Sequence, residues 1–196
     1  MGAHKANLGS LILRETNVLA DPGQHGHVLG YYPVKAASGT IAAGQVLALD
    51  ASGQAVPLAA LTAALGAGDG AKKAFTGALG RCRPGAVSVS AGGAESFTDD
   101  GFGALASAAG GTGHVNYATG KIAVTFNAAP AAAAQVVATY TPAPFGVATR
   151  EADTASEAGV EICVHGPVRL AALLVAGAAP DAATVAELNA LGVWVR

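Results

Sequence analysis

Charge is what this chain has least of. Only 12% of its 196 residues are Asp, Glu, Lys or Arg, and aromatic residues make up 5%. Soluble domains usually carry about twice that share of charge, so much of the surface must be Ala, Gly, Ser and Thr. With 13 acidic against 11 basic residues there is no basic excess to neutralise phosphates, which argues against nucleic acid as a partner. Long apolar runs are missing too. No stretch of about 18 strongly apolar residues occurs, so no membrane-spanning helix and no membrane partner are expected. The opening residues Met1-Gly2-Ala3-His4-Lys5 lack the apolar core of a secretory signal. Cysteine is scarce: Cys82 and Cys163 lie far apart, and read as free, buried thiols of a chain made in a reducing cytoplasm rather than as a disulfide.

What is present is small and apolar. Hydrophobic residues reach 52%, much of it alanine, and 27 residues are glycine. The length allows one large domain or two small ones, either able to bury a core. A weakly charged surface of this kind suits a subunit packed against neighbours, although a GC-rich genome enriches Ala and Gly equally well.

Residues 1–27 read as an arm, with sparse apolar positions and a turn at Asp21-Pro22-Gly23. Alone it cannot bury enough surface to offset its ordering entropy, so a partner is expected to fix it. Strand patterns begin at Val28-Leu29-Gly30-Tyr31-Tyr32. Gln45–Asp50 and Ala55–Leu58 flank Ala51-Ser52-Gly53 as a hairpin. Composition breaks at Gly66-Ala67-Gly68-Asp69-Gly70. Beyond it, short strands are expected at Ala74–Leu79, Ala86–Ser90, Glu95–Thr98, His114–Tyr117, Lys121–Phe126 and Gln135–Tyr140. Asp99-Asp100-Gly101 and Ala118-Thr119-Gly120 supply turns. Val160–Val164 alternates as a strand, and Val168–Val175 is apolar. Asp181 is placed to cap a helix carrying Val185, Leu188 and Leu191 on one face, and a last strand ends at Arg196. The expected class is mainly β with a short C-terminal helix. A small β-barrel-like domain, residues 28–65 and 143–196, is interrupted by an antiparallel β-sandwich at 66–142.

The chemical motifs are weak. His25-Gly26-His27, with Asp21 nearby, is the most metal-like cluster, but a site needs a third ligand and fixed geometry. His114 and His165 stand alone. Gly101-Phe102-Gly103-Ala104-Leu105-Ala106 fits a loose dinucleotide fingerprint, which works only between a strand and a helix. Here it sits among hairpins. Gly120-Lys121 lacks the rest of a phosphate loop, and no Gly-x-Ser-x-Gly elbow occurs. Glu95, Asp99 and Asp100 could hold calcium, but Asp-Asp-Gly is adequate turn chemistry by itself. No catalytic, metal or cofactor-binding residue is therefore assigned, no cofactor is expected, and an enzyme is the least favoured class.

A resemblance rests on the outer segments. Ala43–Asp50 with Gln54–Leu58, then Phe145–Ala148, the acidic Glu151–Thr154, Val160–Val168, and Pro180-Asp181 to the terminal strand together resemble the head decoration (capsid cement) proteins of lambda-type tailed phages. These stretches cover roughly half of the chain and are mostly small and apolar. The insert separately resembles a β module of virion and tail-associated proteins, through Gly68-Asp69-Gly70, Phe75-Thr76-Gly77, Pro84–Val89, Phe97–Gly101, Val115–Gly120 and Phe126–Pro130. Most lambda-type members lack such an insert.

That likeness implies a structural virion protein on the outer surface of a capsid, bound to the major capsid protein as a homotrimer at three-fold or quasi-three-fold positions. It would stabilise the shell against internal DNA pressure, with its arm adding a strand to capsid sheets. On this view Leu8, Leu11 and Leu13 carry the arm's contact, and Pro167, Val168, Leu170 and Trp194 form the subunit interface. The alternative is a head-fibre or tail module whose insert binds a host glycan or surface protein. Four tyrosines and one tryptophan are few for sugar stacking.

Overall fold

The computed structural model describes residues 18–21, 26–36, 39–92 and 95–196. Along the chain come β1 (Val28–Pro33), β2 (Thr40–Ile41), β3 (Val46–Leu49) and β4 (Ala55–Pro57). Next are β5 (Leu61–Ala67), β6 (Ala74–Ala78), β7 (Cys82–Ala91), β8 (Ser96–Asp99), β9 (Ala104–Ser107), β10 (Thr112–Val115), β11 (Lys121–Thr125) and β12 (Gln135–Pro142). The chain closes with β13 (Gly146–Ala148), β14 (Ala152–Asp153), β15 (Gly159–Val168), helix α1 (Ala182–Ala190) and β16 (Val193–Val195). The class is mainly β with one short C-terminal helix, as the patterning requires. Two compact units divide it. One holds the residues up to Ala48, Ala55–Pro57 and Pro144–Arg196, the other Leu49–Gln54 and Leu58–Ala143.

The first unit is organised by β15. Its sheet runs β1-β15-β13-β3-β4, with β16 added parallel on β15. Val160, Ile162, Cys163 and Val168 of β15 are fully buried, and each large apolar side chain so placed contributes about 1.5–3 kcal/mol. Gly146 is required where β13 crosses it, since a Cβ there would stand 2.6 Å from the Cys163 carbonyl oxygen. Asp181 caps α1 as expected, its carboxylate accepting from Thr184 N at 2.7 Å. The buried face centres on Leu188 and Thr184, with Val185 and Leu191 half-buried beside them. The Val168–Val175 run is not a strand throughout. β15 ends at Val168, and Leu170–Ala172 form a 3-10 turn.

The second unit is one antiparallel sheet in the order β5-β12-β7-β8-β9-β10-β11-β6. Its end strands meet: a Cβ on Gly77 of β6 would lie 2.5 Å from Leu65 Cδ2 of β5. The sheet is thus curled into a nearly closed barrel, where two facing layers were expected. Phe126 packs edge-on against both Phe75 and Phe97, with centroids 5.7 and 4.9 Å apart, the favoured aromatic geometry. The boundary drawn at 65/66 is also corrected, because it falls inside β5, which pairs with β12 from Leu61 to Ala67. The strand is rich in alanine, so its β-propensity is low and the pairing, not the sequence, defines it.

Glu95 locks one end of this barrel. It is 7% exposed, and its two oxygens accept from Gly111 N at 2.9 Å and Asn127 N at 3.0 Å. The segments ahead of β8, between β9 and β10, and after β11 are thereby joined by one carboxylate. Replacing Glu95 by Ala strands both donors, each costing about 1–3 kcal/mol. The variant should unfold at a clearly lower temperature by calorimetry; an unchanged midpoint would contradict the clasp.

Both cysteines are free and buried. Burial, the leading cause in each case, pushes the Cys82 and Cys163 thiols up to about 11. The nearby Asp99 adds to the rise at Cys82, while the Sγ–H of Cys163 donates to the His165 carbonyl. Only thiolates attack alkylating agents, so at neutral pH neither should label until denaturant is added. Rapid labelling of the native chain by iodoacetamide, read by mass spectrometry, would refute this.

Candidate interaction surfaces

Within the arm expected over residues 1–27, Val18–Ala20 are bound to the first unit. Val18 is 1% exposed, Leu19 bridges antiparallel to Val168, Ala20 N donates to Pro167 O, and Arg169 N donates to Val18 O. Residues 18–20 are therefore part of the first unit, held by the end of β15. Leu8, Leu11 and Leu13 lie outside the described residues, as does His25.

The same contacts correct the expected subunit interface. Val168 has no exposed surface, being enclosed between Leu19 and its register partner Val195 of β16. Pro167 is buried, and its carbonyl already accepts from Ala20 N and from His27 Nε2 at 2.9 Å. Neither has a face to offer another subunit. Trp194 is half-buried with its ring edge-on to His165, centroids 4.7 Å apart. Leu170, 46% exposed, is the most open of the four.

Among the described residues of the first unit, three of the four exposed large hydrophobic side chains lie instead on β1. Val28 is 52%, Leu29 42% and Tyr31 64% exposed. Two consecutive residues, Val28 and Leu29, are both exposed where the register shifts and Val164 of β15 is passed over, since a bulge locally disrupts the ladder. Beyond it alternation resumes: Tyr31 faces solvent, while Tyr32 packs edge-on against Phe145 at 4.8 Å. Among the described residues β1 pairs with β15 alone, and its other edge is met only just past its end, where Val34 bridges Ala55. The opposite end of the sheet is different. β4 has three residues, ends on Pro57, and Ala55 is bridged by Val34. A short strand ending in proline is a protected edge; a six-residue uncharged one is not. Sequence reading found the strand but missed its role. The signal was the absence of polar alternation in Val28-Leu29-Gly30-Tyr31-Tyr32.

In the second unit the prominent feature is Phe102, 93% exposed on the turn between β8 and β9. Asp100 Oδ1 accepts from Phe102 N at 2.7 Å and Ala104 N at 3.0 Å. Asp99 Oδ1 accepts from Gly101 N and from the Tyr117 hydroxyl. Burial, then the Asp99 contacts, hold the Tyr117 phenol protonated above its ordinary range. Gly101 and Gly103, at φ +82° and +100°, complete the turn, a conformation that disfavours side chains. The dinucleotide-like run is thus a turn leading into β9, a strand flanked by β8 and β10 rather than a helix.

The calcium reading fails on geometry. Glu95 and Asp99–Asp100 sit at opposite ends of β8, and the Glu95 oxygens are taken by backbone N–H groups. The Nε2 of His27 donates to a carbonyl and so carries the proton there, which leaves no lone pair on it for a metal. No group of three His, Cys, Asp or Glu suited to a metal gathers among the described residues. No helix there is long and apolar enough to cross a membrane. The chain matches no family model, no curated protein and no solved structure.

Proposed function

We propose that this chain is a structural virion protein that binds the outside of a phage capsid, as a homotrimer at three-fold or quasi-three-fold positions, and stabilises the shell against internal DNA pressure. The observation that carries the reading is the outer edge of β1, which no described strand pairs with, with Val28, Leu29 and Tyr31 exposed. An unblunted edge strand is a template for another strand. Strand addition draws affinity from backbone hydrogen bonds and needs few particular side chains, which fits a chain so poor in charge and aromatics. Residues 1–17, including Leu8, Leu11 and Leu13, precede the point where Val18 is pinned to β15. They supply a second, reciprocal strand to the major capsid protein. Of the expected subunit contacts, Leu170 retains an exposed side chain.

The test is co-sedimentation with empty heads of the encoding phage. The full chain should pellet saturably. Removal of residues 1–17 should abolish binding, and Tyr31→Lys with Leu29→Lys should weaken it at least about tenfold, a loss of roughly 1.4 kcal/mol. Heads that fail to take up the full chain, or take up both altered forms undiminished, would overturn the proposal.

A further inference from the structure

We propose that the second unit also pairs with a second copy of itself, Phe102 of each copy seating in a groove over β6, β10 and β11 of the other. The groove is open, has a volume of about 400 Å³, and is lined by Thr76, Gly77, Ala78, His114, Lys121 and Ala123 among others. Its floor is small and apolar, and its charge is basic. The knob is the converse: a bare aromatic ring whose own turn carries Asp99 and Asp100. Seating the ring brings the Asp100 carboxylate towards Lys121 and His114, so shape and charge agree together.

Placement favours a mutual contact. Ala104, two residues after Phe102, pairs with His114, which pairs with Ala123, which pairs with Thr76. Knob and groove therefore lie side by side on neighbouring strands. A two-fold axis between them satisfies both copies at once, the defining property of an isologous interface. The turn is held by Asp99, Asp100 and two glycines, so little freedom remains to be lost when the ring is buried. A single aromatic buries about 150–250 Å², and two such contacts remain well below the roughly 1,000 Å² of a stable interface. Pairing is thus weak between free molecules and strong where copies are already concentrated, as neighbouring subunits on one surface are. The contact needs only two copies and does not rest on the capsid reading.

Amide ¹H–¹⁵N spectra of the full chain test it, recorded from about 20 μM to about 1 mM, the effective concentration that tethering reaches. Resonances of Phe102, Gly103, Thr76–Ala78 and Lys121–Ala123 should move with concentration, and sedimentation at the upper end should report dimers. Phe102→Ala and Lys121→Glu, both at exposed positions, should reduce the movement at least tenfold while leaving the dilute spectrum otherwise native. Asp100→Asn keeps the oxygen that holds the turn and should weaken pairing more at low salt than at high salt. Concentration-independent spectra, movement that survives Phe102→Ala, or assembly into trimers or filaments through this face would overturn the proposal. Failure here leaves binding to heads untouched, and failure of head binding leaves this pairing untouched.

Discussion

Both edges of β15 are occupied, and that saturation sets where the first unit can interact. Along one side it carries β1 and then Leu19; along the other it carries β13 and then β16. A strand flanked in this way along both sides leaves little backbone to offer a partner. Growth of the sheet is possible only at its rims. Of these, β4 is short and ends on proline, β16 has three residues, and β1 is six residues long and displays Val28, Leu29 and Tyr31. Fixing Val18–Ala20 on the end of β15 does a second thing. It anchors the start of the described chain to the element that also carries β1.

The legible parts of the fold were those whose backbone needs are written in residue type. Asp181 as a cap, the Asp99-Asp100-Gly101 turn and the hairpin around Ser52-Gly53 all follow from local chemistry, and all hold. β5 and β9 escaped notice because Ala and Gly dominate them, and their strand state comes from pairing with β12, β8 and β10. The burial of two of the four expected interface residues escaped notice for a related reason. Pro167 and Val168 are apolar whether they face a partner or their own core, and only the contacts of Val18–Ala20 decide between these. Phe102 was legible in principle: an aromatic between two turn glycines, after two aspartates, has nowhere to hide.

The low charge seen at the start acquires a physical meaning on the folded surface. The outward positions of the barrel carry Thr62, Thr139, Ser88, Thr98, Ala106, Thr112 and Thr125 across seven of its strands. Such a surface neither repels a neighbour nor holds it strongly. Individual contacts on it are weak, and specificity has to come from a few protruding groups and from backbone hydrogen bonds. Those properties suit a protein used in many copies, where small free energies add across a surface.

Hydrogen exchange on the amides of β1, compared between the free chain and the chain on phage heads, tests the central claim most directly. Strand addition at the outer edge of β1 predicts that outward-pointing amides of residues 28–32 exchange at least tenfold more slowly when bound, while those already paired with β15 change little. Equal exchange in both states would mean that no strand is added there, and the account of this surface would fail.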